Sequence, residues 1–291
     1  QNITVRGVQN FGKTEFNLNS TTTVGNTLLT VGGGATTGMD WAGVEVNPGS
    51  FTFTPSTYDA RLFTAMHNAA GISFSNYAPY GAKEKIVGDL EYSLDTDNHT
   101  GNAAQDVFIN GFRFRNRTAT YTETPAHDEA WAGRTASGQT VEGNKLTVSG
   151  GMLNIAAYGG LVENKKAGGI TGDAENNTLV IEGGSITKAF GAEVRTKDGS
   201  AIGNKVEITG GTMDDVSGAA LTAAGATGNA SNNTVKIAGG TINGVVGGAL
   251  IDGGSTGNAT NNTVTVEGGT LTGDLYGGFT NGSGKTTGNT I

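Results

Sequence analysis

The side chains of this 291-residue chain best suited to acid–base chemistry are three histidines, His67, His99 and His127, and four aspartates of its second half, Asp214, Asp215, Asp252 and Asp274. A histidine can activate a serine nucleophile, but no Ser-centred motif accompanies any of the three. The nearest text, KDGS at 197–200, has the wrong order for a GDSG-type nucleophile turn. The aspartates fall in three consecutive repeats, after the first strand, and could align in an acidic stripe. Carboxylates grouped on one face are what glycosidases and polysaccharide lyases use. No His or Arg stands beside these aspartates in the repeats, so the same row also reads as a solvated edge that discourages aggregation. Metal chemistry has no ligand set: the chain has no cysteine, no H-E-x-x-H and no phosphate-binding GxxxxGK[ST]. GGITGD at 168–173 is a single copy of a glycine motif that binds calcium only in tandem, and reads as a loop. No cofactor and no metal are expected, and the chain is not expected to be an enzyme.

Whatever the chemistry, the elements that carry it are short strands. Fifty glycines without a three-residue period exclude collagen, and apolar residues that alternate in short runs argue against disorder. The net charge of −8 disfavours nucleic acid as a partner. No stretch of about 18 apolar residues is present that would span a bilayer as a helix. The absence of cysteine fits export in an unfolded state better than it fits simply an intracellular or cysteine-poor bacterial protein. The opening QNITV already reads as strand, and the closing GNTI reads as the start of a further repeat. The chain is therefore expected to be a stretch of a longer protein.

The strands are written in near-copies: GNKLTVSGGM at 143, NNTLVIEGGS at 176, GNKVEITGGT at 203, NNTVKIAGGT at 232 and NNTVTVEGGT at 261. Aligned on Asn144, Asn177, Asn204, Asn233 and Asn262, they are spaced by 33, 27, 29 and 29 residues. A Gly-Gly pair follows at a fixed offset, then a second glycine corner, and length varies only in the polar segment after it. Within each copy the apolar residues alternate, as in Val206 and Ile208 or Val264 and Val266, which puts one strand face inward. A single repeat cannot bury that face, whereas stacked repeats can. The fold class predicted is all-β: a right-handed parallel β-helix of eight to ten coils, with about 27–33 residues per coil. The recurrent asparagines suit an inward ladder at a corner, bonded to backbone groups and to the asparagine of the next coil. Asn176, Asn229, Asn232, Asn258, Asn261 and Asn281 also lie in glycosylation sequons, but their regular spacing is better explained by turns and ladders.

Units such as GNATNNTVTVEGGTLTGDLYGG at 257–278 resemble the repeats of the passenger domains of bacterial type V autotransporters. The resemblance covers residues 141–291 well and the first half loosely. It implies display on the outer membrane of a Gram-negative bacterium through a downstream barrel, commonly for adhesion or self-association. It names no activity.

Residues 1–140 differ. They hold 16 of the 20 aromatic residues, all four prolines, all three histidines and six of the seven arginines. They are read as N-terminal coils or a cap with an inserted loop or subdomain over about 45–135, followed by regular solenoid from 141 to 291. STYDARLFTAMHNAAG at 56–71 reads as a short helix, DVFINGFRFRN at 106–116 as an alternating strand, and the segment 76–102 between them as a loop. The aromatics fill wide coils in one reading and present a binding surface in the other. Tyr58, Arg61, His67, Tyr77, Tyr80, Arg117, Tyr121 and Trp131 are the partner-binding candidates, being of the residue types that dominate interfaces.

The function expected is that of an extracellular adhesin passenger, binding a host cell-surface protein or glycan, or other bacterial cells including its own kind. The alternatives are a carbohydrate-active β-helix enzyme, and a structural or self-associating stalk.

Overall fold

The computed structural model describes residues 3–8, 12–23, 25–32, 40–49, 51, 63–68, 74, 77, 82–87, 90–96, 106–122, 126–135, 138–164 and 171–291. The regular structure of the described residues is almost entirely β, and its parallel coils form a β-solenoid of about 8 turns. It divides into two compact units, Gln1–Phe112 and Arg113–Ile291.

In the first unit Ile3–Val5, Thr27–Val31 and Phe63–Asn68 pair in parallel, as solenoid coils do. The sheet then changes character: Phe63–Asn68 pairs antiparallel with Val107–Phe114, and Ala82–Val87 forms an antiparallel pair with Leu90–Thr96. A separate parallel pair joins Thr14–Asn17 to Val44–Asn47. Two expectations are corrected here. The helix expected over 56–71 is, in its described part, the strand Phe63–Asn68, because pairing on both edges outweighs a weak local helical preference. The loop expected over 76–102 contains the Ala82–Val87 and Leu90–Thr96 strands, whose Leu90, Tyr92 and Leu94 are buried. Large rings fill this unit. Phe51 and Phe63 meet edge to face at 5.5 Å, and the buried Tyr92 hydroxyl accepts the Val46 N–H at 2.7 Å.

In the second unit each coil is best identified by the residue at one corner: Arg117, Asn144, Asn177, Asn204, Asn233, Asn262 and Asn289. The first wall of a coil follows that corner, as in Lys205–Ile208 or Thr234–Ile237. The second wall follows the Gly-Gly turn, as in Thr212–Leu221. The third is a two-residue strand, as in Ala201–Ile202 or Ala230–Ser231. Equivalent walls pair in parallel and in register from coil to coil, for example Leu179 to Val206 to Val235 to Val264. In the Gly-Gly turns the second glycine sits at positive φ, between 80° and 92° at Gly151, Gly184, Gly211, Gly240 and Gly269. L side chains rarely adopt that conformation.

The interior is not one apolar column but two. Leu146, Leu179, Val206, Val235 and Val264 pack with second-wall residues such as Ile186, Met213 and Ile242 in one. Val162, Val194, Leu221 and Ile251 pack against the third-wall alanines Ala174, Ala201, Ala230 and Ala259 in the other. Between them runs a waist. There Asn144, Asn177, Asn204, Asn233 and Asn262 point inward, all 0–1% exposed. A Cβ on Gly160 would fall 2.6 Å from the Asn177 side chain, and one on Gly191 would fall 3.0 Å from the first-wall backbone at Lys205 N. The second glycine corner therefore exists because opposite walls touch through backbone and asparagine at the waist.

Candidate recognition surface

The asparagines form a directed ladder. Each donates both its backbone N–H and its Nδ2 to the Oδ1 of the next coil's asparagine, at 2.9–3.2 Å, from Asn144 through to Asn289. The second Nδ2 hydrogen goes to a backbone carbonyl, as from Asn204 to Ala174 O at 2.8 Å. From Asn177 to Asn262 each side-chain amide thus makes four hydrogen bonds and leaves no buried polar group wanting a partner. At the first rung the corner residue is Arg117. Its backbone N–H donates to Asn144 Oδ1 at 3.1 Å, and its guanidinium reaches Ala132 O and lies 5.3 Å from the Trp131 ring.

The other candidate binding residues separate into groups. Tyr58, Arg61 and Tyr80 lie outside the described residues, as does His99. In the first unit His67 and Tyr77 converge on Asp106. His67 Nδ1 lies 2.9 Å from its carboxylate, and the Tyr77 hydroxyl donates to its backbone oxygen at 3.1 Å. In the second unit Arg117 and Trp131 stack as described, both half-buried. Tyr121 is a core residue, 6% exposed, with its hydroxyl on Met152 O at 3.0 Å.

On the outer side of the second walls, register assembles a charge network. Arg134 binds Glu163 Oε2 through Nε at 3.0 Å and Nη2 at 2.6 Å, and reaches Glu129 at 3.3 Å. Arg195 binds Glu163 Oε1 at 2.6 Å, Glu193 at 2.9 Å and the Tyr158 hydroxyl at 2.8 Å. Tyr158 donates to Glu129 at 3.2 Å, and Thr222 donates to Glu193 at 2.8 Å. Burial alone would raise the Glu163 carboxyl, but the two guanidiniums outweigh it and hold that group below its ordinary value of 4.5. Burial, reinforced by the Glu193 charge, pushes the Tyr158 phenol well above its ordinary value. Tyr158 stacks on Phe190 at 5.6 Å and 12°, and Arg195 lies over its outer side. Every carboxylate in this network is already engaged by a guanidinium or a hydroxyl.

Beyond Phe190 the same surface opens into a groove. The outward column that carries Trp131, Tyr158 and Phe190 continues as Ser217, Gly247 and Tyr276. The next column runs Glu193, Ala220, Leu250 and Phe279. Past the Phe190 ring lies a cavity of about 330 Å³, lined among others by Lys188, Asp215, Leu250, Asp252, Tyr276 and Phe279; the Leu250 side chain fills the space over Gly247. Tyr276 and Phe279 form its far end, with ring centroids 5.2 Å apart, and Tyr276 donates to Asp274 at 3.2 Å. The expected acidic stripe is corrected by this geometry. Asp215 and Asp274 flank Val245 on one side of the groove, since Val245 N–H donates to Asp215 Oδ1 and Val246 pairs with Leu275. Asp252, whose N–H donates to Leu221 O, lies past the end of the strand on the other side. A continuous row is impossible, because Asp252 follows the second wall while Asp215 and Asp274 lie near its start.

Compared with protein-family models, with curated proteins and with solved structures, the chain finds no match in any of the three.

Proposed function

We propose that this chain is the recognition part of a cell-surface adhesin, a β-solenoid passenger displayed outside the outer membrane of a Gram-negative bacterium, which binds a host receptor or other cells without catalysis. The observation that carries this reading is the groove beside the saturated charge network. The repeat core fixes the coil, so the outward positions are free to be shaped, and at one place they form a cleft with an aromatic end. The buried acids next to that cleft are committed to ion pairs, which suits a rigid contact surface better than proton transfer. The autotransporter-like repeats agree with outer-membrane display.

The test is binding of the full chain to epithelial cells and to bacterial cells, beside a Tyr276→Ala/Phe279→Ala variant of unchanged circular dichroism. Cell binding that drops at least tenfold in the variant supports the reading. No binding of the wild-type chain to either cell type overturns it.

A second reading, a carbohydrate-active enzyme, draws on Asp215 and Asp252 flanking the groove from opposite sides. It requires release of reducing ends or unsaturated sugars from a polysaccharide, and loss of that release in Asp215→Asn.

A further inference from the structure

The groove offers its occupant an unusual set of groups. Its strands already pair on both edges: Val216–Leu221 pairs with Val194 and its neighbours on one side and with Val246–Ile251 on the other. The backbone N–H and C=O groups of the floor are therefore consumed between coils. An extended peptide laid in the groove could not add itself as a strand, and would leave its own amides unpaired against apolar Ala220 and Leu250. What remains open is side-chain chemistry. Lys188 is exposed, and among the described residues its ammonium has no hydrogen bond or ion pair. The same holds for the Asp252 carboxylate, and Asp215 has one oxygen beyond the one taken by Val245. Thr222 spends its proton on Glu193 and keeps its lone pairs. Two carboxylates are acceptors only, one ammonium is a donor only, and all three rim an apolar floor that ends in tilted aromatic rings.

We infer that this groove holds one or two rings of a neutral oligosaccharide, resting a C–H face on Tyr276 and Phe279 and donating hydroxyls to Asp215 and Asp252. This rests on the recognition reading above and names its ligand class. A pyranose carries paired hydroxyls for a carboxylate and an apolar face for an aromatic ring, and brings no amide that needs a strand edge. The dimensions agree. The lining residues run from the Asn177 coil to the Asn262 coil, three coil steps or about 14 Å at the usual strand spacing. The volume stands at the small end of the range for ligand pockets. The sign of charge selects among sugars. Lys188 is one cation among Asp215, Asp252 and the nearby Asp274, so a uronate or sialate carboxylate meets net repulsion and a neutral hexose does not.

The experiment is a glycan array probed with the full chain, carrying neutral hexose and N-acetylhexosamine oligosaccharides, sialylated and uronate oligosaccharides, and a set of Lys/Arg-rich peptides. Hits are followed by titration with wild type, Tyr276→Ala, Asp252→Asn and Met152→Ala, the last an exposed residue of the Asn144 coil away from the groove. Binding of neutral glycans is expected, weakened at least tenfold in Tyr276→Ala and Asp252→Asn and unchanged in Met152→Ala. Preference for acidic sugars, preference for the basic peptides, or neutral-glycan binding indifferent to both groove variants would each overturn the inference. Cell binding that needs Tyr276 but survives enzymatic removal of cell-surface glycans would overturn the sugar and leave the recognition reading standing. Absence of cell binding would overturn that reading itself.

Discussion

In the first unit, Gln1–Phe112, rings such as Trp41, Phe51, Phe63, Phe74 and Tyr92 fill the interior, and strands run both parallel and antiparallel. In the second, Arg113–Ile291, the interior holds mostly small and aliphatic residues, with Tyr121 the ring of its first coil, and a file of amides, and equivalent walls pair in parallel. The contrast teaches how each unit fixes its strands. Large rings tolerate irregular connections because each makes many contacts wherever it lies. A narrow repeated cross-section needs a position-by-position device. The amide ladder is that device: a one-residue slip in any coil would turn its asparagine out and bring a neighbour, such as Lys205 or Thr234, to the waist without the ladder's acceptor.

The largest expected effect tests the aromatic side of this contrast. Phe63→Ala removes a fully buried ring from between Phe51 and the flanking strands and should cost about 3–5 kcal/mol. The loss should appear in urea unfolding and as faster hydrogen exchange at Thr27–Val31. Slowed rather than accelerated exchange there would mean that the rings do not hold this sheet.

Next is the ladder. Asn204→Ala strips the acceptor from both donors of Asn177 and should cost about 3 kcal/mol, because each buried donor left alone carries a desolvation penalty. A loss below about 1 kcal/mol would show that apolar columns alone set the register.

The smallest effect is on pH dependence. The Glu163 carboxyl is held below its unfolded value, so its contribution is present above about pH 4.5 and is lost as pH falls through the lower folded value. Tyr158 has the opposite sense: its phenol is held above 10.0, so its contribution is present below pH 10 and lost as pH rises through the folded value. Thermal melts across pH should show both slopes, and Glu163→Gln should flatten the acid one alone. An unchanged acid slope in that variant would assign it to another carboxyl.

The repeat was legible in the sequence because each coil must meet the same two constraints, an inward apolar pair and a backbone contact at the waist. Val206, Ile208 and Gly218 recur for that reason, and Gly211 recurs for the positive φ of its turn. The groove was not legible, since its lining comes from four coils: Lys188, Asp215, Leu250 and Tyr276 meet only because register stacks them. The charge network is hidden in the same way, with Glu129, Glu163 and Arg195 joined by stacking rather than by sequence distance. One signal was available, namely charged residues just past the second glycine corner, at Arg134 after Gly133, Glu163 after Gly160 and Glu193 after Gly191. The Leu90–Thr96 strand also had its signal, the alternation of Leu90, Tyr92 and Leu94. The Asp- and Asn-rich text after it disguised it as loop.

The ladder has a consequence for length. Its links all run in one sense, and the acceptor offered by Asn233 is chemically the same as the one offered by Asn204. Excising the 29 residues from Asn204 to Asn232 would bring Asn177 onto Asn233 with every donor and acceptor met, and would also bring Leu179 over Val235. Excising half as many would set an amide against an apolar wall. The ladder can therefore be shortened or extended only in whole turns, while the polar segments absorb smaller changes in length. Its height is a countable variable, while the waist of each turn is held constant.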